Sequence, residues 1–317
     1  MHKWLLVLLI IGGSAHAAGV DAISAGRLQF KAGEMAVGIG PAPEKIERVL
    51  IVIHGRLRNA ETYRKSAERA TEQAGQTAHT LVIAPQFLNE SDVSLYSLPN
   101  TLLRWKGNEW MGGGLSTGPN PLSSYAALDE IVARVSDRKQ FPDVKQIVIF
   151  GHSGGGQVVQ RYALLAKEQP ALKTNGIRLR YVVANPSSYA YFNEQRPVAF
   201  DHAQCLNFNR WKYGLTDMPV YSGGQTPMQL EGSYTKREVI YLLGQQDIDP
   251  QHPALDKSCA AEAQGAYRLE RGKMFFSYLL RRHPEGVNQR LIEVPGVGHN
   301  GDGMLNSPEG QKALFDQ

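Results

Sequence analysis

Short apolar runs alternate along this chain with segments whose apolar residues recur at helical spacing. Residues 46–53 are rich in Val and Ile and close at His54-Gly55, the pattern of a buried strand ending in a turn. Residues 61–73 have helical composition, and 80–84 read as a strand stopped by Pro85. Within 124–135, Leu128, Ile131, Val132 and Val135 fall at helical spacing. Residues 146–150 form an apolar strand followed at once by glycines and a helix through Tyr162 and Leu165. Further strands are expected at 179–184, 238–243 and 291–294, with a long helix over 262–282 and a last helix capped by Ser307.

This alternation predicts an α/β fold, a mainly parallel central sheet with helices on both faces, built as one domain over 18–317. Ligands of such sheets sit beyond the carboxyl ends of the strands, so the chemistry should follow the apolar runs. One stretch breaks the rhythm. Residues 185–237, after the sixth strand, show no clear strand or helix period, yet they carry Tyr189, Tyr191, Phe192, Phe208, Trp211, Tyr213, Tyr221 and Tyr234. The stretch is too long for a plain connection. It reads as a cap insertion over the active site; the alternative is a surface excursion with its own satellite cluster.

Composition narrows the setting. Met1-His2-Lys3 is a short basic start, Trp4 to Ile11 is apolar throughout, and Ala15-His16-Ala17 offers small residues to a signal peptidase. A signal peptide over 1–17 and export to the periplasm or exterior are therefore expected. The run is too short for a bilayer, which needs about 20 residues, so no stable membrane insertion is expected. An oxidising destination makes a disulfide between Cys205 and Cys259, the two cysteines, the expected state. A net charge of +4, without a long basic stripe, gives no support to a nucleic-acid partner. Nothing fixes the oligomeric state.

Gly151-His152-Ser153-Gly154-Gly155 fits the G-x-S-x-G nucleophile elbow, in which a serine occupies a sharp strand-to-helix turn. The pattern alone is weak, and Gly114-Leu115-Ser116-Thr117-Gly118 matches it equally. Context separates them: a strand precedes Ser153 and a helix follows, whereas Pro119 and Pro121 forbid a helix after Ser116. Partners should follow in the order acid, then histidine. Asp247 comes directly off the strand ending near Leu243, and His299 directly off the last strand. His299 would act as general base, and Asp247 would hold its imidazole in the right tautomer. Asp249 is the alternative acid. Asp247, Asp249 and His252 could ligate a metal, but their spacing matches no strong metal motif, so no metal is expected. The oxyanion hole would use the backbone N–H groups of Gly154 and Arg56, with His54 a structural residue of the same turn. Trp105 and Trp110 remain open between site and core.

With these residues in view, the chain from about residue 45 onward resembles the α/β-hydrolase superfamily. Locally, Phe141-Pro142, Gly151 to Gln157 and Gln160-Arg161-Tyr162-Ala163 resemble a group of microbial serine hydrolases and esterases without a well-defined substrate. The resemblance implies acyl hydrolysis without a cofactor. The turn His54-Gly55-Arg56-Leu57 departs from the HGGG type, so a preference for tertiary-alcohol or other bulky esters does not carry over. The expected activity is hydrolysis of a small-molecule or polymeric carboxylic ester through an acyl-enzyme on Ser153. A peptidase or amidase using the same residues, and a catalytically silent binding protein, are the alternatives.

Overall fold

The structure, a computed structural model, describes residues 20–316; the expected signal peptide lies outside them. Among these residues, eight strands form one sheet: β1 (Gly26–Phe30), β2 (Gly33–Ile39), β3 (Arg48–Ile53), β4 (Thr80–Pro85), β5 (Gln146–His152), β6 (Arg178–Ala184), β7 (Glu238–Gly244) and β8 (Gln289–Val294). Their order across the sheet is β1-β2-β4-β3-β5-β6-β7-β8. From β4 to β8 every pairing is parallel, while β1–β2 and β2–β4 are antiparallel. The expected mainly parallel sheet is therefore present, extended by a hairpin that the apolar runs did not announce.

Among the described residues, ten α-helices accompany it: α1 (Ala60–Gln73), α2 (Glu90–Leu95), α3 (Ser124–Val135), α4 (Gly154–Leu165), α5 (Pro170–Thr174), α6 (Pro227–Tyr234), α7 (Cys259–Glu262), α8 (Arg268–Arg282), α9 (Gly301–Asn306) and α10 (Pro308–Phe315). The unbroken apolar runs have a direct cause. Val49, Ile51 and Ile53 of β3 enter one core with α3, α4 and α8, whereas Leu50 and Val52 enter a second with α1, α9 and α10. A strand covered on both faces has no side free for polar residues. Trp105 and Trp110 are fully buried in the first core, which settles them as packing residues.

Two expectations need correction. The helix expected over 262–282 begins only at Arg268: Glu262 ends the separate α7, and the chain between them turns at Gly265, φ +139°. The 185–237 stretch contains α6, whose capping box joins Thr226 and Gln229, with Pro227 in the first turn. Most of the stretch's aromatic residues serve as anchors. Tyr189, Tyr191, Phe192, Tyr221 and Tyr234 are buried in the first core, and Tyr189 stacks on Phe275 of α8 at 4.7 Å. Phe208 joins Cys205 and Ala260 in a small separate cluster, against which Phe200 and Tyr213 pack.

Cys205 and Cys259 form a disulfide across 54 residues of sequence, tying this stretch to α7. Closing a loop of that length stabilises a fold by up to about 4 kcal/mol in the chain-entropy treatment. Reduction should therefore lower Tm by several degrees. Thermal melts with and without reductant test this, and coincident curves would contradict it.

Candidate active site

The site is assembled at the carboxyl ends of β3, β5, β7 and β8. Ser153 links β5 to α4 with φ +58° and ψ −117°, a conformation that side chains rarely adopt. It holds because the surrounding backbones touch. A Cβ on Gly151 would lie 2.2 Å from the Gly155 carbonyl oxygen, and one on Gly155 would lie 2.2 Å from that of Ile53. Neither neighbour can yield, since both are backbone.

His299 lies in the turn after β8 and reaches Ser153 Oγ with Nε2 at 2.9 Å. Its Nδ1 faces Asp247 Oδ2 at 2.7 Å. A carboxylate opposite Nδ1 calls for the proton there, leaving the Nε2 lone pair to accept the Ser153 hydroxyl proton. Asp247, in the turn after β7, is buried, and its other oxygen accepts from Arg268 Nη1 at 3.2 Å. Arg268 opens α8, is fully buried, and also donates to Ser187 Oγ at 3.0 Å. The sequence carried no signal for Arg268, which lay inside a segment read simply as helix.

The other candidates separate clearly. Asp249 is exposed and accepts from the Gln251 N–H at 2.8 Å. Ser116 is buried in a loop, where its hydroxyl donates to the Asn120 carbonyl and accepts from the Leu122 N–H. A Cβ built on Gly154 would lie 2.9 Å from Arg56 N, so the two backbones named for the oxyanion hole do meet beside Ser153. Two cavities flank the serine. One, of about 330 Å³, is lined by Arg56, Gly154, Ser187, Lys212, Tyr213 and Asp256 among others. The other, of about 400 Å³, is lined by Tyr63, His152, His252 and His299 among others. Among the described residues, no group of three or more His, Cys, Asp or Glu side chains is arranged to hold a metal ion.

Three further histidines surround the site. His54 is fully buried: its Nε2 accepts from the Phe87 N–H at 2.9 Å and its Nδ1 donates to the Gly55 carbonyl at 2.8 Å. That pairing requires the neutral ring, and burial pulls its pKa down to about 4. His54 thus fixes the turn that carries Arg56, the structural role expected of it. His152 is also buried, its ring 4.6 Å from that of His299 and its Nδ1 2.9 Å from the Tyr63 hydroxyl. Burial first, then His299 and Arg268, push its pKa well below the usual histidine value. The His252 ring, from the segment after β7, meets His299 edge-on at 5.0 Å.

No family model and no curated protein matches the chain. Among solved structures it is similar to a poly(aspartic acid) hydrolase-1 from Sphingomonas sp. KT-1, at 25% identity over 92% of this chain and 99% of that one, with a TM-score of 0.65. It is also similar to LpqC, a poly(3-hydroxybutyrate) depolymerase from Bordetella parapertussis, at 22% identity over 90% and 85% of the two chains, with a TM-score of 0.64. The fold is that of the α/β hydrolases, as the resemblance implied.

The buried histidines predict how stability depends on pH. His54 and His152 are neutral in the fold, whereas an unfolded chain protonates histidine near pH 6.5. Their contribution is complete above that pH and is lost as pH falls towards the depressed folded values. Lowering pH from 7 to 5 should cost roughly 2 kcal/mol from His54 alone, with His152 acting in the same direction. Denaturant titrations at the two pH values measure this, and equal stabilities would refute it.

Proposed function

We propose that this chain is an exported serine hydrolase that cleaves carboxylic esters through an acyl-enzyme on Ser153. The observation that carries the reading is the unbroken hydrogen-bond chain from Ser153 through His299 to a buried Asp247. Ser153 Oγ attacks the substrate carbonyl carbon while His299 Nε2 takes the hydroxyl proton. Negative charge on the carbonyl oxygen is met by the N–H groups of Arg56 and Gly154. Collapse breaks the ester bond, and His299 returns its proton to the departing alcohol. Water then attacks the acyl-serine with His299 again as base, releasing the carboxylic acid and restoring Ser153. Asp247 keeps the imidazole proton on Nδ1 and stabilises the ring once it is charged.

Export is supported by the basic and apolar residues at the start of the sequence and by the disulfide. Among the described residues, no helix is long and apolar enough to cross a membrane. The 185–237 stretch would act as a cap in a limited sense, since Ser187, Lys212 and Tyr213 line a wall beside Ser153. A second reading, hydrolysis of an amide, gains support from the likeness to a poly(aspartic acid) hydrolase, named for a polymer of an amino acid.

Ser153→Ala should abolish both hydrolysis and fluorophosphonate labelling, and Ser116→Ala should spare both. Labelling that survives in the Ser153 variant would end the assignment. Asp247→Asn should lower kcat by up to about 10⁴-fold, with Asp249→Asn near wild type; steady-state kinetics on nitrophenyl esters reads the difference. Turnover of peptide anilides but not of esters would select the amide reading.

A further inference from the structure

The cavity of about 330 Å³ beside Ser153 carries an imbalance of charge. Its ionisable lining consists of Arg56, Lys212 and Lys257 against Asp256. Arg56 and Lys257 are exposed at the rim, and Lys257 Nζ donates to the neutral Gln251 amide at 2.9 Å. Lys212 is deeper, its side chain one-third exposed. The Asp256 carboxylate stands 3.9 Å from Lys212 Nζ, beyond hydrogen-bond reach, and is taken up by the Tyr213 hydroxyl at 2.8 Å and the Ser258 N–H at 3.1 Å.

A second cation lies behind the first. Arg161 of α4 is fully buried, and its guanidinium meets only neutral acceptors: the carbonyls of Lys212 and Met111, the Gln157 side chain and the Ser188 hydroxyl. One carboxylate thus answers for two inner cations and two at the rim. Desolvation, together with Arg161, pulls the Lys212 ammonium down to about 8 despite Asp256, which leaves it charged at neutral pH. Excess positive charge in a concave, partly desolvated wall draws in anions.

We propose that this cavity is a carboxylate-recognition subsite, in which Lys212 Nζ receives an anionic group carried by the substrate near its scissile bond. The inference rests on the reading of Ser153 as nucleophile, and it names the substrate class: esters bearing a carboxylate on the acyl or the alcohol side. Lys212 is a specificity residue and takes no part in bond making.

Two matched substrate pairs test it at low ionic strength. The mono-para-nitrophenyl ester of adipic acid is compared with its methyl-capped diester, placing the carboxylate on the acyl side. Para-acetoxybenzoate is compared with its methyl ester, placing it on the alcohol side. In one pair the wild type should favour the anionic member by at least roughly tenfold in kcat/KM, expressed mainly in KM. Lys212→Met should bring that ratio close to one, and Lys212→Arg should keep most of it. Turnover of the neutral members without preference, or a preference that survives in Lys212→Met, overturns this inference alone. Turnover of none of the four overturns the ester reading along with it. Should the methionine variant fail to fold, competitive inhibition of the wild type decides: inhibition by adipate but not adipamide supports the subsite, and equal or absent inhibition refutes it.

Discussion

Three backbones meet where β5 turns into α4, and no side chain separates them. The carbonyls of Ile53 and Gly155 occupy the space that Cβ atoms on Gly155 and Gly151 would need. This contact brings the end of β3 against the start of α4, and so brings Arg56 N beside Gly154. It also forces Ser153 into its positive-φ turn, directing the hydroxyl towards the loop after β8. The buried His54, bonded to both Phe87 and Gly55, holds the β3 side of this junction in position.

The charges around that junction are arranged in a line. Asp247 is buried between His299 and Arg268, one carboxylate oxygen facing the imidazole Nδ1 at 2.7 Å and the other accepting from the Arg268 guanidinium at 3.2 Å. A buried carboxylate with only a neutral histidine for company would be costly, and Arg268 offsets that cost. During the proposed proton transfer the imidazole becomes positive as the oxygen on the reacting carbonyl becomes negative, so the net charge of the site does not change. Only the separation of charge changes. The peptide dipoles that meet it are fixed before reaction begins.

The sequence made some of this legible and hid the rest for identifiable reasons. The strands beneath the site were readable because burial on both faces leaves an unbroken apolar run, as in β3 and β5. Ser153 and Asp247 were readable because each closely follows such a run, and His299 because it stands in the glycine-containing turn after the last strand. The hairpin of β1 and β2 went unread because β1 is an edge strand that exposes alternate residues, so no run forms. Thr226-Pro227 with Gln229 was a legible signal for α6, lost among the aromatics of its stretch. Arg268 had no such signal. An arginine on a helix ordinarily faces solvent, and only the tertiary fold turns this one towards Asp247.

The aromatic anchors of the 185–237 stretch limit how it can move. Tyr189, Tyr191, Phe192 and Tyr234 are all buried against the sheet and α8, and exposing each such side chain costs roughly 1.5–3 kcal/mol. Lifting the stretch away as a rigid flap would therefore consume most of the 5–15 kcal/mol by which a typical domain is stable. Its root belongs to the same cooperative unit as the sheet, and its outer part is tethered to α7 by the disulfide. Under the proposed function, substrate would therefore enter past a largely standing wall, and the shape of that wall would act as a fixed sieve instead of a gate.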